Sequence, residues 1–370
     1  MLVSSRAPHP PFTALLLPIL TMTSLRTRPL RDGRLDITTL GLGTWAIGGP
    51  GWAYGWGPQD DRRSLAAMRR AIELGINWID TAPAYGLGHA EKLVGRLLKD
   101  FPAVSRPLVF TKCGLVCDPA DPYKEPRRDL RPESIRRECE ASLERLGVEQ
   151  IDLYQFHWPD DTGTPIEYSW EEMGRLLDEG KIRAAGVCNF DVGLLAICGQ
   201  LRHVDSLQAP FSLIRREAAL AEIPWCAQRG TAVLAYSPMQ SGLLTGAFSA
   251  ARMKRLARDD WRRTCPEFQP PRLGRNLALA HALRPIARRH RVKVAAVAVA
   301  WTTSWPGVTA AIVGARAPRQ VDEWIKAATL ELSAEDMAEL AAAIRETGAG
   351  EGAACPEDVE TWQWEVGVQE

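Results

Sequence analysis

The chain has 370 residues, with 45 Lys+Arg against 45 Asp+Glu, so its formal net charge is zero and it offers no electrostatic footprint for nucleic acid. Its composition, 46% hydrophobic and 24% charged, is that of a globular protein with an ample core. Eight cysteines without a C-x-x-C pair and six scattered histidines leave no cluster of metal-ligand spacing, so no metal is expected and the thiols fit a reducing, cytoplasmic setting.

The apolar stretch 13–20 follows a single Arg6 and is too short to span a bilayer. It also lacks the basic start and small-residue cleavage site of a secretory signal, so no membrane attachment is expected. Residues 30–40 place a polar RDG turn (31–33) between apolar flanks, which predicts a β-hairpin ahead of the main domain, plugging its bottom. Strand patterns then fall near 40–44, 77–80, 107–111, 151–156, 183–187, 206–208, 232–236 and 309–313. Helical patterns fall near 61–74, 89–99, 132–146, 166–179, 192–200, 216–228, 291–303 and 318–328. Eight alternations of this kind predict an α/β protein built as one (β/α)8 TIM barrel.

Three segments exceed an ordinary loop: 48–59 (GGPGWAYGWGPQ), 116–132 and 246–275. Each follows a strand, on the rim where barrel active sites are built. The first is rich in Gly and Trp, so its indoles either cover apolar substrate or pack on neighbouring loops. The Arg-rich third reads as a cover for a dinucleotide rather than a solvated insertion. Ser333 and Asp336 form a capping-box pattern for a last helix running to Ile344, and the tail 351–370, with Trp362 and Trp364, folds back on the rim, crosses a subunit contact or stays disordered.

Four patches carry one residue each of a proton-transfer set: Asp80 and Tyr85 in WIDTAPAYG (78–86), Lys112 in VFTKCG (109–114) and His157 in YQFHWPD (154–160). Each lies where an apolar strand turns polar at its C-terminal end. A free phenol titrates near pKa 10, too high for proton release at neutrality. A neighbouring Lys cation favours the phenolate, and an Asp keeps that Lys charged and aimed, so the constellation suits reduction of a carbonyl.

These patches, together with GLGTWAIGG (41–49), GKIRAAGVCNF (180–190), SLQAPFSLIRRE (206–217), AYSPMQSGLLTG (235–246) and AAIVGARAPRQVDEW (310–324), resemble the aldo-keto reductase superfamily in their order along the chain. The resemblance covers about residues 25–346. It divides the chain into an extension (1–24), disordered or the product of an upstream start codon, a barrel (25–346) and a tail (347–370). It implies that Tyr85 is the general acid, that Lys112 pairs with Asp80, and that His157 binds and polarises the carbonyl oxygen of a small aldehyde, ketone or sugar.

A hydride must come from a cofactor, and GLGTWAIGG departs from the dinucleotide fingerprint G-x-G-x-x-G, which argues against a Rossmann domain. The resemblance implies an extended nicotinamide dinucleotide across the rim. Gly43, Thr44, Trp45 and Asp80 are among its contacts, Tyr236 stacks on the nicotinamide, and Cys188, Asn189 and Gln208 face its carboxamide. Ser237, Pro238, Met239 and Ser241 line the pyrophosphate path. Gly314, Arg316, Gln320 and Glu323 match the adenosine end, where Arg316 pairs with a 2′-phosphate and so favours NADPH (NADP). Cys188 stands where many relatives have Ser, and Trp324 where the family often has Asn. The competing reading is a nicotinamide-binding redox sensor or accessory subunit with little turnover. A metal-dependent barrel hydrolase lacks its ligand cluster.

Overall fold

A computed structural model describes residues 25–30, 33 and 35–359. The 1–24 extension, Arg31 and Asp32 of the hairpin turn, and Trp362 and Trp364 of the tail lie outside the described residues.

Eight parallel strands close into a barrel: β1 (Leu40–Gly43), β2 (Trp78–Asp80), β3 (Leu108–Cys113), β4 (Leu153–Phe156), β5 (Ala185–Cys188), β6 (Ser206–Pro210), β7 (Ala232–Tyr236) and β8 (Val308–Gly314). Each pairs with the next in sequence, and β8 returns to β1 with Gly314 opposite Gly43. The expected start of the fourth strand at 151 survives only as an isolated bridge, Ile151 to Ile182. This is the predicted (β/α)8 barrel. Among the described residues no helix is long and apolar enough to cross a membrane, and no three metal-binding side chains group together.

Period-two alternation divides the side chains between two cores. Along β3, Val109 and Cys113 belong to the outer core under the helices, whereas Phe110 belongs to the inner core with Trp78, Leu153 and Leu234. The N-terminal hairpin, Thr27–Leu30 paired antiparallel with Leu35–Thr38, sends Leu30, Leu35 and Ile37 into that inner core. It therefore plugs the bottom, as the sequence predicts. Trp78 fills the space above and ties its indole to the hairpin through Thr38 O at 2.9 Å. A Cβ on Gly41 would sit 2.2 Å from the Trp78 ring, so only glycine fits there. Hydrocarbon thus fills the lower part of the barrel.

Three sequence expectations need correction. Residues 216–221 are not α-helical: Arg215–Arg216 forms a parallel bridge with Glu351–Gly352, Glu217–Ala219 makes a single 3-10 turn, and the α-helix begins at Glu222. Arg216 is buried and donates to the carbonyls of Leu213, Ala349 and Gly352, so the start of the tail folds back beside β6. The helix expected from 291 starts at Val294, because Arg291 has a positive φ of 54° that ends the preceding helix. The stretch before it, expected to hold no helix, contains Ala250–Lys254, Arg272–Ala282 and Arg284–Arg289.

Candidate active site

The strand ends bring the four proposed residues together. Asp80 closes β2, and Lys112 stands on β3 with its stem inside the barrel, both almost fully buried. Lys112 Nζ lies 2.7 Å from Asp80 Oδ1 and donates to Thr81 O at 2.9 Å. Gln208 Nε2 donates to Asp80 Oδ2 at 2.9 Å. A lone ion here would be strongly penalised by lost hydration; the pair, with both carboxylate oxygens engaged, holds one geometry. Tyr85 sits in the turn after β2, fixed by its amide bonding to Ala82 O at 3.1 Å. That turn presses on the first rim loop, since a Cβ on Gly86 would meet Gly48 O at 1.9 Å and Gly86 has φ of 62°. Lys112 Nζ is 5.2 Å from the centre of the Tyr85 ring. The His157 ring approaches Tyr85 edge-on, with 5.7 Å between ring centres.

Electrostatics sets the protonation states. Burial pushes the Tyr85 phenol above its ordinary value, and the opposing pull of Lys112 does not overcome it. The sequence-based expectation of a phenol poised for release near neutrality is corrected accordingly: desolvation outweighs the ammonium. Burial also pulls on Lys112, but Asp80 and Tyr85 raise it and the net shift is upward, so it stays charged. Burial, then Lys112, holds His157 well below the usual imidazole range. His157 is thus neutral, and its Nδ1 has no partner among the described residues.

Beside this cluster runs a cavity of about 530 Å³ across the rim. Fifteen of the sixteen proposed cofactor residues line it: Gly43, Thr44, Trp45, Asp80, Asn189, Gln208, Tyr236, Ser237, Pro238, Met239, Ser241, Gly314, Arg316, Gln320 and Glu323. Cys188 does not; it lies buried below, and burial raises its thiol so that it keeps its proton. Tyr236 Oη donates to Asn189 Oδ1 at 2.9 Å, and Asn189 Nδ2 to His157 O at 3.0 Å, which fixes the amide before any ligand arrives. Ser237, Gln240 and Ser241 have positive φ of 57°, 43° and 52°, a strained run for non-glycine residues that bends the chain after β7 along the groove.

The first rim loop organises the cover. Ala53 N bonds to Pro122 O of the second loop at 3.0 Å, and Tyr54 Oη donates to Glu125 at 2.5 Å. Trp261 N, in the third loop, bonds to Gly55 O at 3.1 Å, and its indole stacks on Trp45 with centres 4.9 Å apart. Arg262 lies over Trp56 at 4.5 Å while paired with Asp260 at 2.6 Å. Arg316 donates to Trp56 O, Pro58 O and Gln59 Oε1 at 3.0, 2.5 and 2.9 Å. The tryptophans of the first loop therefore both line the cavity and pack on neighbours, and its third-loop partner does reach the groove. Sequence reading missed Gln59, Trp261 and Arg262 as cover residues, and Arg128 and Trp158 as lining residues; Trp158, directly after His157, was the one with a positional signal.

The family model described as "Aldo/keto reductase family" matches residues 39–345. The aldo-keto reductase YhdN of Bacillus subtilis is 34% identical over 319 residues, covering 86% of this chain and 93% of that protein. The NADH-specific methylglyoxal reductase of Escherichia coli is also 34% identical, covering 85% and 98%. The structure of a glycerol dehydrogenase from Gluconobacter oxydans superposes with a TM-score of 0.79 at 36% identity, covering 88% of this chain and 97% of that one. With a barrel closed around a buried Asp80–Lys112 pair beneath a rim tyrosine, and with these likenesses along nearly the whole barrel, the chain belongs to the aldo/keto reductase family.

Proposed function

We propose that this protein reduces a small aldehyde or ketone to an alcohol, or runs the reverse oxidation, with NADPH as cofactor and Tyr85 as proton donor. The observation that carries the reading is the buried Lys112–Asp80 pair at 2.7 Å, with its ammonium 5.2 Å from the centre of the Tyr85 ring. The groove suits a nicotinamide dinucleotide: the Tyr236 ring and the Asn189 and Gln208 amides stand at the reactive end, and Arg252, Arg262 and Arg316 supply positive charge toward the other. When bound, the cofactor supplies the hydride that no side chain can.

The chain's own residues handle the oxygen. Neutral His157 offers a ring N–H to the carbonyl and orients it without bringing a second cation beside Lys112. Tyr85 keeps its proton until charge builds on that oxygen, then donates it. Lys112 steadies the phenolate left behind, and Asp80, held by Gln208, keeps Lys112 in place. In the oxidative direction the same phenolate takes the alcohol proton. The free cysteines support a reducing, cytoplasmic setting.

Arg316 supports NADPH, because a guanidinium matches a 2′-phosphate. A second reading, NADH, is favoured by the three rim-loop acceptors that already hold Arg316 and by the printed specificity of the E. coli relative. Steady-state consumption of NADPH and NADH with simple aldehydes tests the proposal. Many turnovers per enzyme support a reductase; tight cofactor binding with no turnover on aldehydes, dicarbonyls or sugars supports the sensor instead.

A further inference from the structure

Beside Tyr85 and His157 the cavity is lined by Arg128, which makes no ion pair among the described residues. The segment after β3 rises as a two-stranded ribbon, Leu115–Val116 against Arg127–Arg128, with Leu115 opposite Arg128. The ribbon and the residues after it carry three arginines. Arg127 and Arg131 both reach the buried carboxylate of Asp129, at 2.8 and 2.6 Å. Arg128 turns the other way: its guanidinium lies 4.6 Å from the centre of the Trp158 ring, and among the described residues it makes no ion pair. Its backbone is fixed by the ribbon and by Asp161 N, which donates to Arg128 O at 3.2 Å. Arg128, Trp158, Leu115 and Ala84 line the same cavity as Tyr85 and His157. Glu125, the nearby carboxylate of the lining, is exposed and engaged by Tyr54.

We infer that Arg128 is a specificity-determining anchor and that the preferred substrates are aldehydes or ketones bearing an anionic group, a carboxylate above all, with an apolar body between that group and the carbonyl. The inference rests on the carbonyl-reduction reading above. The guanidinium lies over the Trp158 ring and makes no ion pair among the described residues, and a guanidinium so placed can bind a carboxylate with two parallel hydrogen bonds. Trp52, Tyr54 and Trp158 give the apolar walls for the body of the substrate. Carbonyl at Tyr85 and His157, anion at Arg128, and hydrocarbon against the indoles form a three-point fit that a neutral substrate of the same shape satisfies at only two points.

The test compares 4-carboxybenzaldehyde with its neutral methyl ester, methyl 4-formylbenzoate, under saturating NADPH and separately NADH. The wild-type ratio of kcat/KM, acid over ester, is expected to exceed unity, and to fall by about 10- to 100-fold in Arg128→Met, mainly through KM, as a charged hydrogen-bonded contact is lost. Arg128→Lys retains charge but not the paired geometry, and should keep part of the preference. A ratio unmoved by Arg128→Met overturns the anchor while leaving the reductase reading intact. If that variant does not fold, the wild-type protein decides alone: a KM for the acid no lower than for the ester overturns the inference. Turnover of neither compound with either cofactor, alongside none on other simple carbonyls, overturns the reductase reading itself.

Discussion

The strand ends and the rim loops of this barrel are built on opposite plans. At the strand ends, Asp80, Lys112 and Gln208 are placed by a parallel ladder, almost fully buried, and locked by three hydrogen bonds. On the rim, the first loop is joined to the other two by two backbone bonds, Tyr54 on Glu125 and Arg262 over Trp56, and to the end of β8 by Arg316, with Trp56 Nε1 and Trp261 Nε1 buried without a partner among the described residues. One region fixes chemistry by rigidity. The other covers the groove through contacts that are individually weak.

The largest effect expected on that contrast is at Tyr85. Tyr85→Phe removes the donor and little else, so turnover should drop by about 10²–10⁴. The pH profile sharpens the same point. Burial raises the phenol, so the protonated, active form persists and reduction should lose rate only above about pH 10, the ordinary phenol pKa. His157 is shifted down, so it is already neutral at about pH 6 to 8 and should add no acid limb there; a limb near the ordinary imidazole value, lost in His157→Ala, would contradict its neutral state.

Next is the coupled pair. Lys112→Met removes the cation that opposes the upward shift of Tyr85, so the rise of alcohol oxidation with pH should move to still higher pH. Asp80→Asn acts through the same path, and the double variant should be far less impaired than the product of the singles. Strictly multiplicative losses in kcat with an unmoved profile would show two independent residues.

Effects on the rim should be smaller and should appear in binding. Arg316→Ala is expected to weaken NADPH by about 1.5–3 kcal/mol, the range for a charged hydrogen bond, and NADH much less. Equal weakening of both, read by titration, would assign Arg316 to holding the first loop alone. Trp261→Ala removes a stacked pair of about 0.5–1.5 kcal/mol and should speed cofactor release by a comparable factor while leaving hydride transfer in a single turnover nearly unchanged.

The same contrast explains what the sequence made legible. All eight barrel strands announce themselves because a strand covered on both sides is an apolar run ending in polar residues, as in VFTKCG. The proposed catalytic residues sit at those endings and are legible with them. The helix Arg272–Ala282 is hidden because Asn276 occupies a core-facing position, where its side chain bonds to Glu267 O at 3.0 Å and breaks the apolar periodicity. The helix reads as starting at 216 because the partner that makes Arg215–Arg216 extended, Glu351–Gly352, lies far away in sequence, and the 3-10 turn Glu217–Ala219 follows before the α-helix. The cover is the least legible part: the guanidinium of Arg316 is drawn to carbonyls of a loop some 257 residues earlier, and no local pattern reports that.

The central claim is that the strand-end set transfers the proton and the rim sets what is held. The most direct test is a single-turnover measurement on Tyr85→Phe with pre-bound NADPH and a simple aldehyde, with cofactor affinity measured on the same preparation. The account predicts a hydride-transfer step slowed by at least about 10² and a cofactor dissociation constant within about threefold of wild type. A transfer rate within about threefold of wild type, at undiminished affinity, would contradict it.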